Sequence, residues 1–208
     1  SNPHLRELQQ AIGFERIWAW RIYSQYSTLA TLKRAYDFFN VRHFFDYASD
    51  QGRLGAVLTP VKMGDLDVYR SDTAWPRAFF TNRVAVYAEP AALATLINHG
   101  DGRPFAAMQA GDEPVPAEVP ADLASRTVTP ASNYHLTTNT TSFDIDATGP
   151  GLAVLQETWL RKDFRARVDG KPTPYLRVNH AFKGVYITTP GSHHVEFEYW
   201  PRSMTESL

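Results

Sequence analysis

At 208 residues, with 43% hydrophobic and 13% aromatic residues, the chain is long enough to bury a core as one large domain or two small ones. A net charge of −1 leaves no overall field to draw it to nucleic acid or to an acidic surface. Cysteine is absent, which excludes disulfide frameworks and thiolate metal sites.

The chain opens on Ser-Asn without an initiator Met, which has the look of a protease scar. Ser1 and Asn2 are therefore set aside, and the chain is expected to be an excised soluble piece. No apolar run approaches the ~20 residues of a membrane span. Leu5 to Ile12 has helical spacing, with Gly13 as its stop. Phe14 to Ile22 is aromatic and β-branched and predicts a strand. Leu29, Leu32, Tyr36 and Phe39 form one stripe of a short amphipathic helix over 29–40. The period then changes, and Asn40 to Tyr47 reads as a buried strand. Val61 to Arg70 is a strand broken at Gly64-Asp65, Trp75-Pro76-Arg77 is a turn, and Arg77 to Ala88 is extended. Glu89 to Ile97 predicts a helix with Pro90 near its first position and Gly100 ending it.

Residues 111–131 carry Pro114, Pro116, Pro120 and Pro130 with few large apolar side chains, so they predict a linker or long surface loop. Beyond it, Phe143 and Ile145 alternate with Asp144 and Asp146, and Leu152 to Trp159 is a near-continuous apolar strand. Phe164 to Val168 runs into Asp169-Gly170, a strong hairpin signal, and Pro174 to Asn179 runs out of it. Val185 to Ile187 and His194 to Trp200 complete the series. The expected fold class is α+β to mainly β. A mixed α/β region over 3–110 precedes an antiparallel β-sandwich over 132–208.

These residues also carry a resemblance. Leu152 to Leu155 with Thr158-Trp159, Arg165 to Lys171, Arg177 to Val185 and Pro190 to Pro201 resemble, in order and spacing, the C-terminal soluble region of the bacterial YfhO family. Phe38 to His43, Val68 to Arg70, Trp75 to Phe79 and the helix from Glu89 extend the resemblance toward the N-terminus. One departure is Asp163-Phe164, where the family usually has Gly-Trp. Members are large polytopic membrane proteins that look like GT-C glycosyltransferases. The resemblance implies an extracytoplasmic domain beside its own transmembrane bundle, with transferase chemistry belonging to loops of that bundle.

Seven cations fall between Arg161 and Lys183, and Arg165, Arg167 and Arg177 are expected to share the wet face of one sheet. Such a face suits phosphates of anionic lipid or of a lipid-linked sugar, because guanidinium forks bind phosphate bidentately. It equally suits a solvated face balanced by Glu196 and Glu198. Asn179 either orients a sugar hydroxyl or bonds backbone locally at a turn. The pairs Asp144/Asp146 and Glu196/Glu198 share faces at ~7 Å, the separation of a hydrolytic carboxylate pair, but also that of any polar strand face. His193 and His194 point to opposite faces of a strand, and His43, His99, His135 and His180 show no ligand spacing, so no metal site is expected. No nucleophile or nucleotide motif is present, and no cofactor is expected. The leading expectation is a non-catalytic accessory domain, and the second is a stand-alone carbohydrate-binding sandwich using aromatic residues such as Trp18, Trp20, Tyr23 and Tyr26.

Overall fold

The computed structural model describes residues 2–14, 26–47, 54–62, 64–112 and 114–201. The strand expected over 14–22 lies outside them apart from Phe14, as do Trp18, Trp20 and Tyr23 and the side chain of Tyr26. Three helices are α1 (Pro3–Ile12), α2 (Tyr26–Phe38) and α3 (Pro90–His99). Asn2, set aside on sequence, caps α1: its Oδ1 accepts from the His4 and Leu5 amides at 2.9 and 3.4 Å. Gly13 closes the same helix at φ 111°, with the Phe14 N–H on the Gln9 carbonyl at 3.0 Å. The end of α2 uses Asn40 at φ 59°, and the Val41 N–H reaches the Tyr36 carbonyl at 2.9 Å. Pro90 opens α3 at its first position, where a missing N–H costs nothing. No helix among the described residues is long and apolar enough to cross a membrane.

The chain folds as two compact units that interleave along the sequence. One takes Ser1–Leu8, Pro76–Leu93 and Phe105–Leu208, and the other takes Gln9–Trp75 and Ala94–Pro104. The division therefore does not fall at 111–131.

In the second unit, β1 (His43–Tyr47), β2 (Thr59–Lys62) and β3 (Leu66–Arg70) form an antiparallel sheet in the order β1-β3-β2. Lys62 and Leu66 flank the expected break, and the two halves pair as a hairpin. The expectation that β1 is buried is corrected: Phe45 is 64% exposed. β1 is an edge strand covered on one face, where Phe44 meets Tyr36 edge-on at 5.6 Å. Buried Asp37 on α2 accepts from Lys33 at 2.7 Å, Ser71 at 2.5 Å and Thr73 at 2.7 Å, tying helix to sheet.

The first unit is the sandwich. Its strands are β4 (Ala78–Thr81), β5 (Val84–Tyr87), β6 (Ala106–Gln109), β7 (Val128–Pro130), β8 (Ser132–Leu136), β9 (Thr140–Ala147), β10 (Gly151–Thr158), β11 (Phe164–Val168), β12 (Lys171–Thr173), β13 (Leu176–Val178), β14 (Phe182–Ile187) and β15 (Gly191–Tyr199). One antiparallel sheet runs β12-β11-β15-β9-β8 and the other β13-β14-β10-β4-β7, while β5 and β6 pair in parallel. Both large sheets face one core. Phe143, Ile145, Ala166, Val195 and Phe197 of the first pack with Phe80, Ala153, Leu155, Val185 and Ile187 of the second. The fold class is thus α+β to mainly β. The sandwich, however, draws β4 and β7 from before residue 132, and the Pro-rich segment supplies β7 together with buried Val119 and Arg126.

Asp169 and Gly170 take φ 52° and 76° between paired Val168 and Lys171, the mirror-image turn that matches strand twist. The strand expected to return from the turn over 174–179 is not the one that does: Lys171–Thr173 returns instead. It ends at Thr173, and the chain crosses at Pro174-Tyr175 to the other sheet, where β13 pairs with β14. A proline without an N–H ends the ladder at that corner.

The turn is latched. Asp169 accepts from His193 Nδ1 at 2.7 Å and from the His194 amide at 2.9 Å. Those two donors hold the Asp169 carboxyl below its usual range. Burial lowers the His193 pKa, but Asp169 and the Thr189 carbonyl outweigh it and leave it raised. The His193 contribution is complete below its unfolded value near 6.5 and is lost as pH rises through the folded one. The Asp169 contribution is present above its unfolded value near 3.9 and is lost as pH falls through the folded one. The stability gap between wild type and Asp169→Asn is therefore expected to be largest between about pH 4 and 6.5 and to narrow by about pH 8. Urea unfolding at both ends of that range tests it, and equal gaps would dismiss the latch.

Candidate binding cleft

Two breaks in the strand ladders make a hollow in the sandwich unit. The first is the segment Trp159–Lys162 between β10 and β11, where Lys162 turns at φ 65°. The second is the crossing at Pro174-Tyr175. Both are pinned by backbone partners: the Trp159 N–H donates to the Ala181 carbonyl at 2.7 Å, and Tyr175 Oη donates to the Leu160 carbonyl at 2.6 Å. Asn2 Nδ2 donates to the Trp159 carbonyl at 2.6 Å, bringing the first turn of α1 to the same place. The resulting cleft measures about 890 Å³ and is lined by His4, Asp112, Trp159, Arg161, Lys162, Tyr175 and Arg177, among others.

Arg177 forms one wall. Its guanidinium donates to His4 Nδ1 at 3.0 Å, to Gln109 Oε1 at 3.0 Å and to Asp112 Oδ1 at 2.9 Å, and sits 5.8 Å from the centre of the Trp159 ring. Burial and the neighbouring Arg177 charge push the His4 imidazole below its ordinary pKa. Burial likewise lowers His180, against a hydrogen bond to Glu7 that opposes it. Both shifts favour the neutral imidazole, and the guanidinium keeps its charge on this wall. Arg161 and Lys162 stand exposed at the rim, and neither has an ion-pair partner among the described residues. The lining thus offers cations, an indole and a phenol, and among the described residues its one carboxylate, Asp112, is already engaged by Arg177. This chemistry binds anions and stacks on rings.

The four sequence candidates separate. Arg165 and Arg167 lie on β11 of one sheet and Arg177 on β13 of the other, so the expectation that they share a face is corrected. The cause is the crossing at Pro174-Tyr175, which carries β13 away from the hairpin. Arg165 stacks on Trp200 at 3.8 Å. Arg167 bridges Glu196 at 2.6 Å and Glu198 at 3.6 Å, so this carboxylate pair is clamped by one guanidinium. Both arginines border a more open hollow of about 650 Å³ that also touches Tyr175. Asn179 is fully buried and faces neither hollow: its amide accepts from the Ala107 N–H at 2.7 Å and donates to the Phe105 carbonyl at 3.0 Å. Asp144, of the second carboxylate pair, accepts from Asn133 and His194.

Sequence reasoning placed Trp159, Arg161 and Lys162 in or beside the basic run without assigning them to a site. The signal was there, in a cationic dipeptide interrupting two strong strands. His4 and Asp112 had none, since only the fold brings residues 4, 112 and 177 together. Comparison with protein-family models, with curated proteins and with solved structures gives no match for this chain.

Proposed function

We propose that this chain is a non-catalytic, extracytoplasmic accessory domain of a polytopic membrane protein resembling GT-C glycosyltransferases, and that its cleft holds the phosphate-bearing end of a glycan or lipid-linked acceptor. The observation that carries the reading is the convergence of Arg161, Lys162 and Arg177 with Trp159 and Tyr175 on one cleft. Two rim cations without an ion-pair partner among the described residues are available to a phosphate, and the aromatic rings to a sugar face. The resemblance to the YfhO family supplies the membrane context, and the whole-protein role rests on that resemblance.

The test is flotation with vesicles carrying a polyprenyl-phosphate sugar, compared with vesicles of neutral lipid. Binding is expected only to the former and to weaken with salt. Arg161→Ala/Lys162→Ala is expected to lower affinity about 100-fold or more, since each of the two charge-assisted hydrogen bonds is worth roughly 1.5–3 kcal/mol. Salt-independent binding of a neutral oligosaccharide, lost in Trp159→Ala but kept in the double variant, would replace this reading with a stand-alone carbohydrate-binding module. Equal flotation with both vesicles would remove the phosphate contact.

A further inference from the structure

Behind the Arg177 wall, three metal-ligating side chains converge from the two ends of the chain. His4 and Glu7 are three residues apart on α1 and so share a helix face. His180 arrives from the turn after β13. Nδ1 of His4, Oε2 of Glu7 and Nε2 of His180 all lie within 4.8 Å of one another. The closest pair, His180 Nε2 and Glu7 Oε2, is 2.9 Å apart, and His4 Nδ1 is 3.9 Å from the same oxygen. A tetrahedral zinc with bonds of about 2.1 Å separates its donor atoms by about 3.4 Å, so small adjustments suffice. Glu7, whose side chain is 57% exposed, has room to adjust.

We infer that His4, Glu7 and His180 form a binding site for a borderline first-row divalent ion of the zinc type, with water in its remaining position. This inference is independent of the function proposed above, since it needs neither a membrane nor a glycan. Two imidazoles and a carboxylate make the nitrogen-rich donor set that such ions prefer over magnesium or calcium.

Three features beyond proximity support it. First, His180 is held rather than merely placed. It is 2% exposed, and its backbone takes φ 70° directly after Asn179 at φ 50°. Consecutive non-glycine residues in that region persist only where the surroundings enforce them. Buried Asn179 does so through its bonds to Phe105 and Ala107.

Second, Tyr87 Oη sits 3.0 Å from His180 Nδ1. A hydroxyl both donates and accepts, so Tyr87 serves either tautomer. With the proton on Nε2, His180 donates to Glu7 and accepts from Tyr87. With an ion at Nε2, the proton sits on Nδ1 and is donated to Tyr87. This is the outer partner that orients a ligating imidazole.

Third, a guanidinium can only donate, so His4 Nδ1 accepts from Arg177 and is the unprotonated nitrogen of its ring, the form in which an imidazole ligates an ion. An ion taking its lone pair leaves Arg177 with Gln109 and Asp112, and Asp112 offsets the added charge.

The experiment uses the whole chain free of any affinity tag, stripped with chelator and titrated with Zn²⁺ by calorimetry and with Co²⁺ by visible absorption. Wild type is expected to take up one ion per chain, to show the intense bands of low-coordinate Co²⁺, and to melt higher with Zn²⁺. His4→Ala and Glu7→Gln are expected to bind at least about 10-fold more weakly, and Tyr87→Phe about 10- to 100-fold more weakly. His4 and Glu7 are not buried, so these two variants keep the test valid should a His180 variant fail to fold. Uptake that is the same in wild type, His4→Ala and Glu7→Gln would assign the ion to other histidines and overturn the inference. So would the absence of Zn²⁺ uptake by wild type.

Discussion

Replacing Lys183 with alanine is expected to cost about 3–5 kcal/mol of unfolding free energy, because it empties a buried site of its aliphatic stem and takes one buried cation from Glu157. The Lys183 side chain is 1% exposed inside the sandwich, with Nζ 3.3 Å from Glu157 Oε2 and 3.5 Å from the centre of the Phe164 ring. Burial pulls the Lys183 pKa down, and Glu157 opposes that pull. Glu157 is the hub of the cluster. It also accepts from Arg77 at 2.9 Å, Tyr134 at 2.8 Å and Thr141 at 3.2 Å. Although burial would raise its pKa, these donors and Lys183 together hold it below the usual range. The double variant Lys183→Met/Glu157→Gln is expected to be more stable than Lys183→Ala, because it removes both charges and keeps an aliphatic stem against Phe164. Urea unfolding measures both. A loss under about 1 kcal/mol for Lys183→Ala would show that the ammonium reaches water easily.

Asn179→Ala is expected to destabilise by about 3 kcal/mol or more, with no direct effect on ligand affinity at the cleft. Two buried hydrogen bonds disappear, leaving the Ala107 amide and the Phe105 carbonyl short of a partner at about 1–3 kcal/mol each. Alanine must also adopt φ 50°, which costs about 1–2 kcal/mol. Asn179→Gly removes that second cost and not the first. It should therefore recover roughly 1 kcal/mol relative to alanine. Equal stability of the two variants would mean that the turn relaxes. Wild-type stability with lost ligand binding would restore the sugar-contact role to Asn179.

The sandwich strands were legible because their periodicity is local. Phe143 and Ile145 alternate with Asp144 and Asp146, and Asp169-Gly170 sits between two runs of strand formers; both features appear where expected. What was not legible is where strands go after they form. The three-residue β13 joins a different sheet from its neighbour β12, and β4 pairs with β10 across some seventy residues. No local pattern encodes such pairings; they follow from how two sheets close over one core. The cleft shared this fate. Its cations sat in a conspicuous basic run, whereas His4 and Asp112, which Arg177 meets there, are far away in sequence. Asn179 and Lys183 stood in the resembling stretch, and the fold places both among buried groups rather than on the wet face of a sheet.

The order of strands has a consequence for biosynthesis. β15 is the last strand along the chain, yet it lies in the middle of its sheet, between β11 and β9. As the polypeptide leaves the ribosome, β8–β9 and β11–β12 can each pair as hairpins, but they have no shared partner until residues 191–199 emerge. Until then the apolar faces of Phe143, Ile145 and Ala166 and two unpaired strand edges stay open together. The sheet stays open until β15 is made, and a nascent chain stalled before that strand is expected to be a client for a holdase chaperone.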